Sequence, residues 1–141
     1  MAFRFELVSP ERRLASQDAT AVRIPGADGD YTAMEGHVPV ITSLRPGVLT
    51  VEGEGGPKRY AVTGGFAEIG PDATTVLAER ALPTEELGQE TFDDWVAEAR
   101  RGHEDVGRSG STDGVDAAAK LVADMVAMGS EIGLSSRQPS L

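Results

Sequence analysis

A chain of 141 residues holds one domain, or one domain with a small appendage. It carries 13 Lys and Arg against 23 Asp and Glu, a formal charge of −10, which excludes a phosphate-backbone reader and a direct ligand of anionic lipid. Cysteine is absent, so there is no disulfide framework, thiolate metal site or Cys nucleophile. Hydrophobic residues make up 40% and aromatics 5%, enough for a modest core of Val, Ile, Leu and Ala. The chain lacks the basic start and apolar run of a secretory signal and the roughly 20 apolar residues of a spanning helix. A soluble, intracellular protein is expected.

In chain order, Phe3, Phe5 and Leu7 alternate with Arg4 and Glu6, the period of a half-buried strand. Thr20, Val22 and Ile24 form a second alternating run, Val48–Val51 a third and Tyr60–Val62 a fourth. Gly53–Pro57 reads as the hairpin loop between the last two. Phe66–Ile69 and Thr75–Ala78 flank a further turn, Gly70–Ala73. Turn signals recur every 8–12 residues or so, as in an antiparallel sandwich or barrel, and no helix-length segment interrupts them to make a parallel sheet.

After Pro83 the period changes. Thr84 is placed to cap a helix, with Glu85 and Glu86 in its first turn, where the helix dipole favours acids. Leu87, Thr91, Phe92, Trp95, Val96 and Ala99 follow at helical spacing, and Gly102 is placed to stop the helix. A polar, Gly- and Ser-rich stretch reads as a flexible loop over 102–114. Asp113 then caps a second helix, apolar except for Asp116, Lys120 and Asp124 at i, i+4 and i+8. The expected fold is α+β: an N-terminal antiparallel β-sandwich over residues 1–83 and a C-terminal α-helical hairpin over 84–141. Its helices fall at about 85–101 and 115–128, with a frayed tail over 129–141. Charge is uneven, −3 over residues 1–84 and −7 over 85–141. Two helices of about 15 residues are marginal alone and need each other, the sandwich or a partner.

A search for chemistry finds little. His37 and His103 are the imidazoles, and no Gly-x-Ser-x-Gly elbow presents a nucleophile to either. His37 with Asp28, Asp30 and Glu35 reads more simply as a solvated acidic loop than as a metal site. No Gly-Lys dipeptide supports a phosphate loop, and Gly53–Gly56 would set Glu54 against a phosphate. Residue types and spacing thus lead to a β domain with a helical hairpin that acts as an interaction protein. A small hydrolase and a free-standing β-sandwich module for a small ligand are the competing classes. The hydrolase lacks its nucleophile. The module lacks exposed aromatics, since the β half offers only Phe3, Phe5, Tyr31, Tyr60 and Phe66, of which most alternate as core.

Ordered segments go further. Phe5–Arg12 opens the series, then Val22–Asp30, Gly36–Val48 with its Gly-His-Val-Pro and Arg-Pro-Gly, Tyr60–Ile69 with its Gly-Gly-Phe, and Thr75–Glu79. In this order and spacing the chain resembles the ε-subunit family of bacterial F-type ATP synthases, of the proteobacterial kind, over residues 3–82. The resemblance implies a non-catalytic subunit of the rotor's central stalk, without cofactor or metal. It implies binding to the γ subunit and the c-ring, and contact with the α/β head through the C-terminal helices. It would lie peripherally on the cytoplasmic face of the inner membrane, held there through the complex, and bind no nucleic acid. Carried over by position, Asp28, Asp30 and Tyr31 fall in the loop that meets the c-ring, and His37 and Thr42 at positions facing γ. Arg45-Pro46-Gly47 matches a turn with a structural role. Tyr31–Met34 departs from the family's usual Leu-Gly-Ile-like stretch, which could alter the c-ring contact. Lys120, flanked by Asp116 and Asp124, stands where ATP-binding and inhibitory members carry several basic residues. That charge argues against ATP sensing and against strong autoinhibition.

Overall fold

The computed structural model describes residues 2–109 and 112–134, with side chains described for 2–102 and 117–134. The chain forms two units, Met1–Glu86 and Leu87–Leu141.

The first unit is a sandwich of two five-stranded sheets. Its strands are β1 (Phe3–Val8), β2 (Arg13–Ala19), β3 (Ala21–Ile24), β4 (Tyr31–Ala33), β5 (Val40–Ser43), β6 (Gly47–Glu52), β7 (Lys58–Val62), β8 (Gly65–Ile69), β9 (Ala73–Ala78) and β10 (Ala81–Pro83). One sheet runs β2-β1-β9-β8-β5 and the other β10-β7-β6-β3-β4. All pairs are antiparallel except β1 and β9, where Arg4–Val8 run parallel to Ala73–Leu77. Alternation dictates the layering. Phe3, Phe5 and Leu7 of β1, Val22 and Ile24 of β3, and Leu49 and Val51 of β6 all turn inward. Val62, Ala67, Ile69 and Val76 lie in the same core. Thr74 sits among these side chains at 1% exposure, and its hydroxyl has no hydrogen-bond partner among the described residues.

The second unit is a helical pair, α1 (Gln89–Ser109) and α2 (Thr112–Glu131), preceded by a 3-10 turn at Thr84–Glu86. Here the boundaries differ from the sequence expectation. Thr84 does not cap α1. Glu85 and Glu86 lie in the 3-10 turn, and the first α-helical bond runs from Phe92 N–H to the Gly88 carbonyl at 3.0 Å. The expected loop over 102–114 is helical through Ser109 and again from Thr112. Once α1 is nucleated, each added residue gains a backbone bond, and an interior glycine costs only about 1 kcal/mol. Nor does the chain fray at 129. Leu134 N–H bonds the Gly129 carbonyl at 2.7 Å and Gly133 N–H the Ser130 carbonyl at 3.3 Å, with Gly133 at φ +87°. These two bonds make a Schellman cap on α2. The remainder of the expected tail, 135–141, lies outside the described residues.

The two helices pack through a close approach. A Cβ built on Gly129 would stand 2.1 Å from the Phe92 ring tip, so Phe92 fits because residue 129 has no side chain. Phe92, Trp95, Val96 and Ala99 of α1 and Met125 and Met128 of α2 are buried. On the outer side of α2, Lys120 and Asp124 pair at 2.7 Å.

Candidate docking surfaces

At one end of the sandwich, the β3–β4 loop and the β5–β6 turn lie side by side. Ala27 N–H bonds the Ser43 carbonyl at 2.8 Å and Arg45 N–H the Pro25 carbonyl at 3.0 Å, and Gly26 bridges Leu44. Gly26 is obligatory, since a Cβ there would stand 2.3 Å from the Gly29 carbonyl oxygen and 3.1 Å from the Tyr31 ring. Arg45 reaches across from the turn. Its Nη1 donates to the Gly26 carbonyl at 2.6 Å and its Nη2 to Asp30 Oδ1 at 2.5 Å. The guanidinium side is 29% exposed and the Asp30 side chain 68%. The backbone network continues across the same end, from Leu44 to Gly65 and from Glu79 to Gly64. The tip is therefore a braced acidic loop.

The resemblance assigned three residues to this loop, and they stand in different settings. Asp28 is exposed. Asp30 is exposed but holds Arg45. Tyr31 is half-buried and packs against the sandwich core, supporting the loop from beneath. His37 and Thr42 lie elsewhere. His37 follows a turn closed by its own N–H to the Met34 carbonyl at 3.1 Å, and its Nδ1 stands 2.6 Å from the Val38 carbonyl oxygen. Gly36 N–H ties that turn to the Pro71 carbonyl, at the end of the sandwich opposite Asp30. Thr42 is buried at 7% exposure, and its hydroxyl donates to the Ser43 carbonyl at 3.2 Å. Strand alternation turns it inward and turns Ile41 and Ser43 out.

That alternation exposes a surface that residue-by-residue reading missed. Among the described residues, the large exposed hydrophobics are Met34, Val38, Ile41, Phe66, Leu77 and Leu121. All but Leu121 belong to the β2-β1-β9-β8-β5 sheet or the turn leading into β5. The register aligns them: Val8 pairs with Leu77, Leu77 with Phe66 and Phe66 with Ser43. Ile41 lies one diagonal from Phe66, through its pairing with Glu68. A shallow cleft of about 570 Å³ opens beside Val8, Phe66 and Leu77. Clustering on one face of one sheet marks an interaction surface rather than scattered apolar residues. The available signal was parity: Phe66 shares its side with Glu68, while Ala67 and Ile69 face the core.

No cluster of three or more His, Cys, Asp or Glu among the described residues could hold a metal ion. His103 lies outside the residues whose side chains are described. No helix among the described residues is long and apolar enough to cross a membrane.

A two-sheet sandwich with an apolar outer face, a braced acidic tip and an appended helical pair defines a docking protein of a larger assembly. The model of the ATP synthase Delta/Epsilon chain β-sandwich domain matches residues 2–84, and the chain belongs to that family. It is 53% identical over 131 residues to the ATP synthase epsilon chain of Rhodobacter capsulatus, covering 93% of this chain and 96% of the relative. It is 52% identical to that of Paracoccus denitrificans, covering 93% and 90%. These matches extend beyond the sandwich into the helices. Among solved structures, a chain of the Euglena gracilis mitochondrial ATP synthase OSCP/F1/c-ring assembly shares the fold, with TM-score 0.62 at 24% identity over 87% of this chain and 76% of that one.

Proposed function

We propose that the chain is the non-catalytic ε subunit of a proton-translocating rotary ATP synthase and works in the central stalk. It joins the γ shaft to the c-ring and passes rotation between ring and catalytic head. The observation that carries this reading is the adjacency of two unlike surfaces on one rigid sandwich. The apolar face around Ile41, Phe66 and Leu77 suits permanent docking on γ, with His37 at its rim and Thr42 holding β5 from inside. The tip at Asp28 and Asp30 suits the cationic polar loops of a c-ring. Phe66 and Leu77 run toward the same end as the tip, so both partners can be engaged at once.

A coupling subunit transmits torque only if its contacts do not yield. The backbone bonds from Pro25 to Arg45, Ser43 to Ala27 and Gly64 to Glu79 supply that stiffness. In this reading membrane association is indirect, on the cytoplasmic face of the bacterial inner membrane. The charge of −7 over residues 85–141 is repelled by an acidic head, and the Phe92–Gly129 seat holds the helical pair closed. Together they support weak or absent autoinhibition through α/β contacts. Affinity purification of the tagged chain from native membranes tests the reading. It should bring down α, β, γ and c subunits in fixed proportion, whereas recovery of the chain alone would return it to the class of free-standing ligand-binding modules.

A further inference from the structure

Arg45 is partly exposed at the tip and bridges the parts that make it. One guanidinium nitrogen holds the Gly26 carbonyl, another holds Asp30 Oδ1, and the Arg45 backbone holds Pro25. Asp30 Oδ1 is thereby engaged from within, and Oδ2 has no hydrogen-bond or ion-pair partner among the described residues. With Arg45 included, the tip formed by Asp28, Asp30 and Arg45 carries one net negative charge rather than two.

We propose that Arg45 is the positioning residue of the c-ring contact and sets its electrostatic character. It fixes the loop so that Oδ2 of Asp30 points to a partner cation, and it cancels half of the tip's charge. The contact then depends on geometry more than on long-range attraction, which spares a rotor joint from loosening with ionic strength. This inference rests on the reading of the tip as the c-ring contact. A lysine cannot reproduce it, because an ammonium lacks the planar fork that serves two acceptors at once.

The test is the affinity of the γ-bound full-length chain for detergent-solubilised c-rings across a salt series, using wild type, Arg45→Gln, Arg45→Lys, Asp30→Asn and the Arg45→Gln/Asp30→Asn double variant. Thermal melts identify any variant that fails to fold, and Arg45→Lys keeps the test open if Arg45→Gln does. The inference predicts that Arg45→Gln binds several-fold more weakly at physiological salt, with a steeper salt dependence. Arg45→Lys should keep the wild-type slope but lose part of the affinity. The double variant should return to a shallow slope and bind no more weakly than Asp30→Asn alone. An arginine that acts only through its charge would be fully replaced by lysine, and one that only stabilises the fold would add its loss to that of Asp30→Asn; either result overturns the inference while the c-ring contact stands. Wild-type affinity in Asp30→Asn would instead show that the tip is not the contact, and would remove both.

Discussion

Ile41→Ser separates docking from folding. Ile41 is 73% exposed on an edge strand, and its cross-strand neighbour is the exposed Glu68. Full burial of an isoleucine side chain gains about 1.5–3 kcal/mol. The exposed 73% therefore leaves about 1–2 kcal/mol to be gained on γ. Replacing it with serine should weaken γ binding about five- to thirtyfold, at 1.4 kcal/mol per tenfold. Stability of the free chain should stay within about 0.5 kcal/mol, as for other surface changes. Thr42→Ala, one residue on, should do the reverse: its side chain is buried, so the loss falls on stability and not on γ. Isothermal titration of γ with each variant, paired with urea melts, reads both quantities. Wild-type γ affinity in Ile41→Ser, or weakened γ affinity in a fully stable Thr42→Ala, would refute the assignment of the outer face.

The remaining predictions concern the interior and the helices. Thr74→Val should raise stability by about 1 kcal/mol, measured by urea denaturation, because it removes a buried hydroxyl with no partner while keeping the shape. Gly129→Ala gains about 1 kcal/mol of helix propensity but drives a methyl to 2.1 Å from the fully buried Phe92 ring. Overpacking at 1–3 kcal/mol or so should win, lowering the melting temperature of the helical pair. Burial, and secondarily the charge of Glu85, pushes the Tyr60 phenol above its ordinary value. Its contribution to stability should be intact below about pH 10 and lost as pH rises through the raised folded value. Tyr60→Phe should flatten that alkaline decline in a pH series of denaturant melts. Deleting residues 103–141 should leave ATP hydrolysis by the assembled complex nearly unchanged. A several-fold rise would show that the helices inhibit despite their charge.

Strands with strong apolar alternation were legible. Phe3-Phe5-Leu7 reads directly as β1, and the Gly-rich stretch 53–57 separates β6 from β7 as composition suggests. β2, β4, β5 and β10 were not legible; β5 is a four-residue edge strand with Thr42 as its one buried residue. β2 is a polar edge strand whose inward residues are the small Ala15 and Ala19, β4 has three residues, and β10 ends in Pro83. Local periodicity cannot report a strand whose pairing is set by its neighbours. The parallel β1–β9 pairing joins residues about 70 apart and leaves no local mark. The acidic tip could be placed by resemblance, but not the Arg45–Asp30 bridge, which depends on the β5–β6 turn folding beside the β3–β4 loop. The apolar face stayed hidden because Phe66 shares its side of β8 with the charged Glu68, a parity signal that the size of the aromatic ring outweighs in a local reading.

The absence of cysteine lets the seating of the chain between shaft and ring be measured at single positions. Single-cysteine variants Ile41→Cys and Asp30→Cys, each carrying a short bifunctional cross-linker, can be assembled into the complex in native membranes. Mass spectrometry then identifies the partner peptides. A subunit seated between shaft and ring predicts cross-links from residue 41 to γ and from residue 30 to the polar loops of the c-ring. Cross-links from residue 30 to the catalytic head, or none from residue 41 to γ, would contradict it.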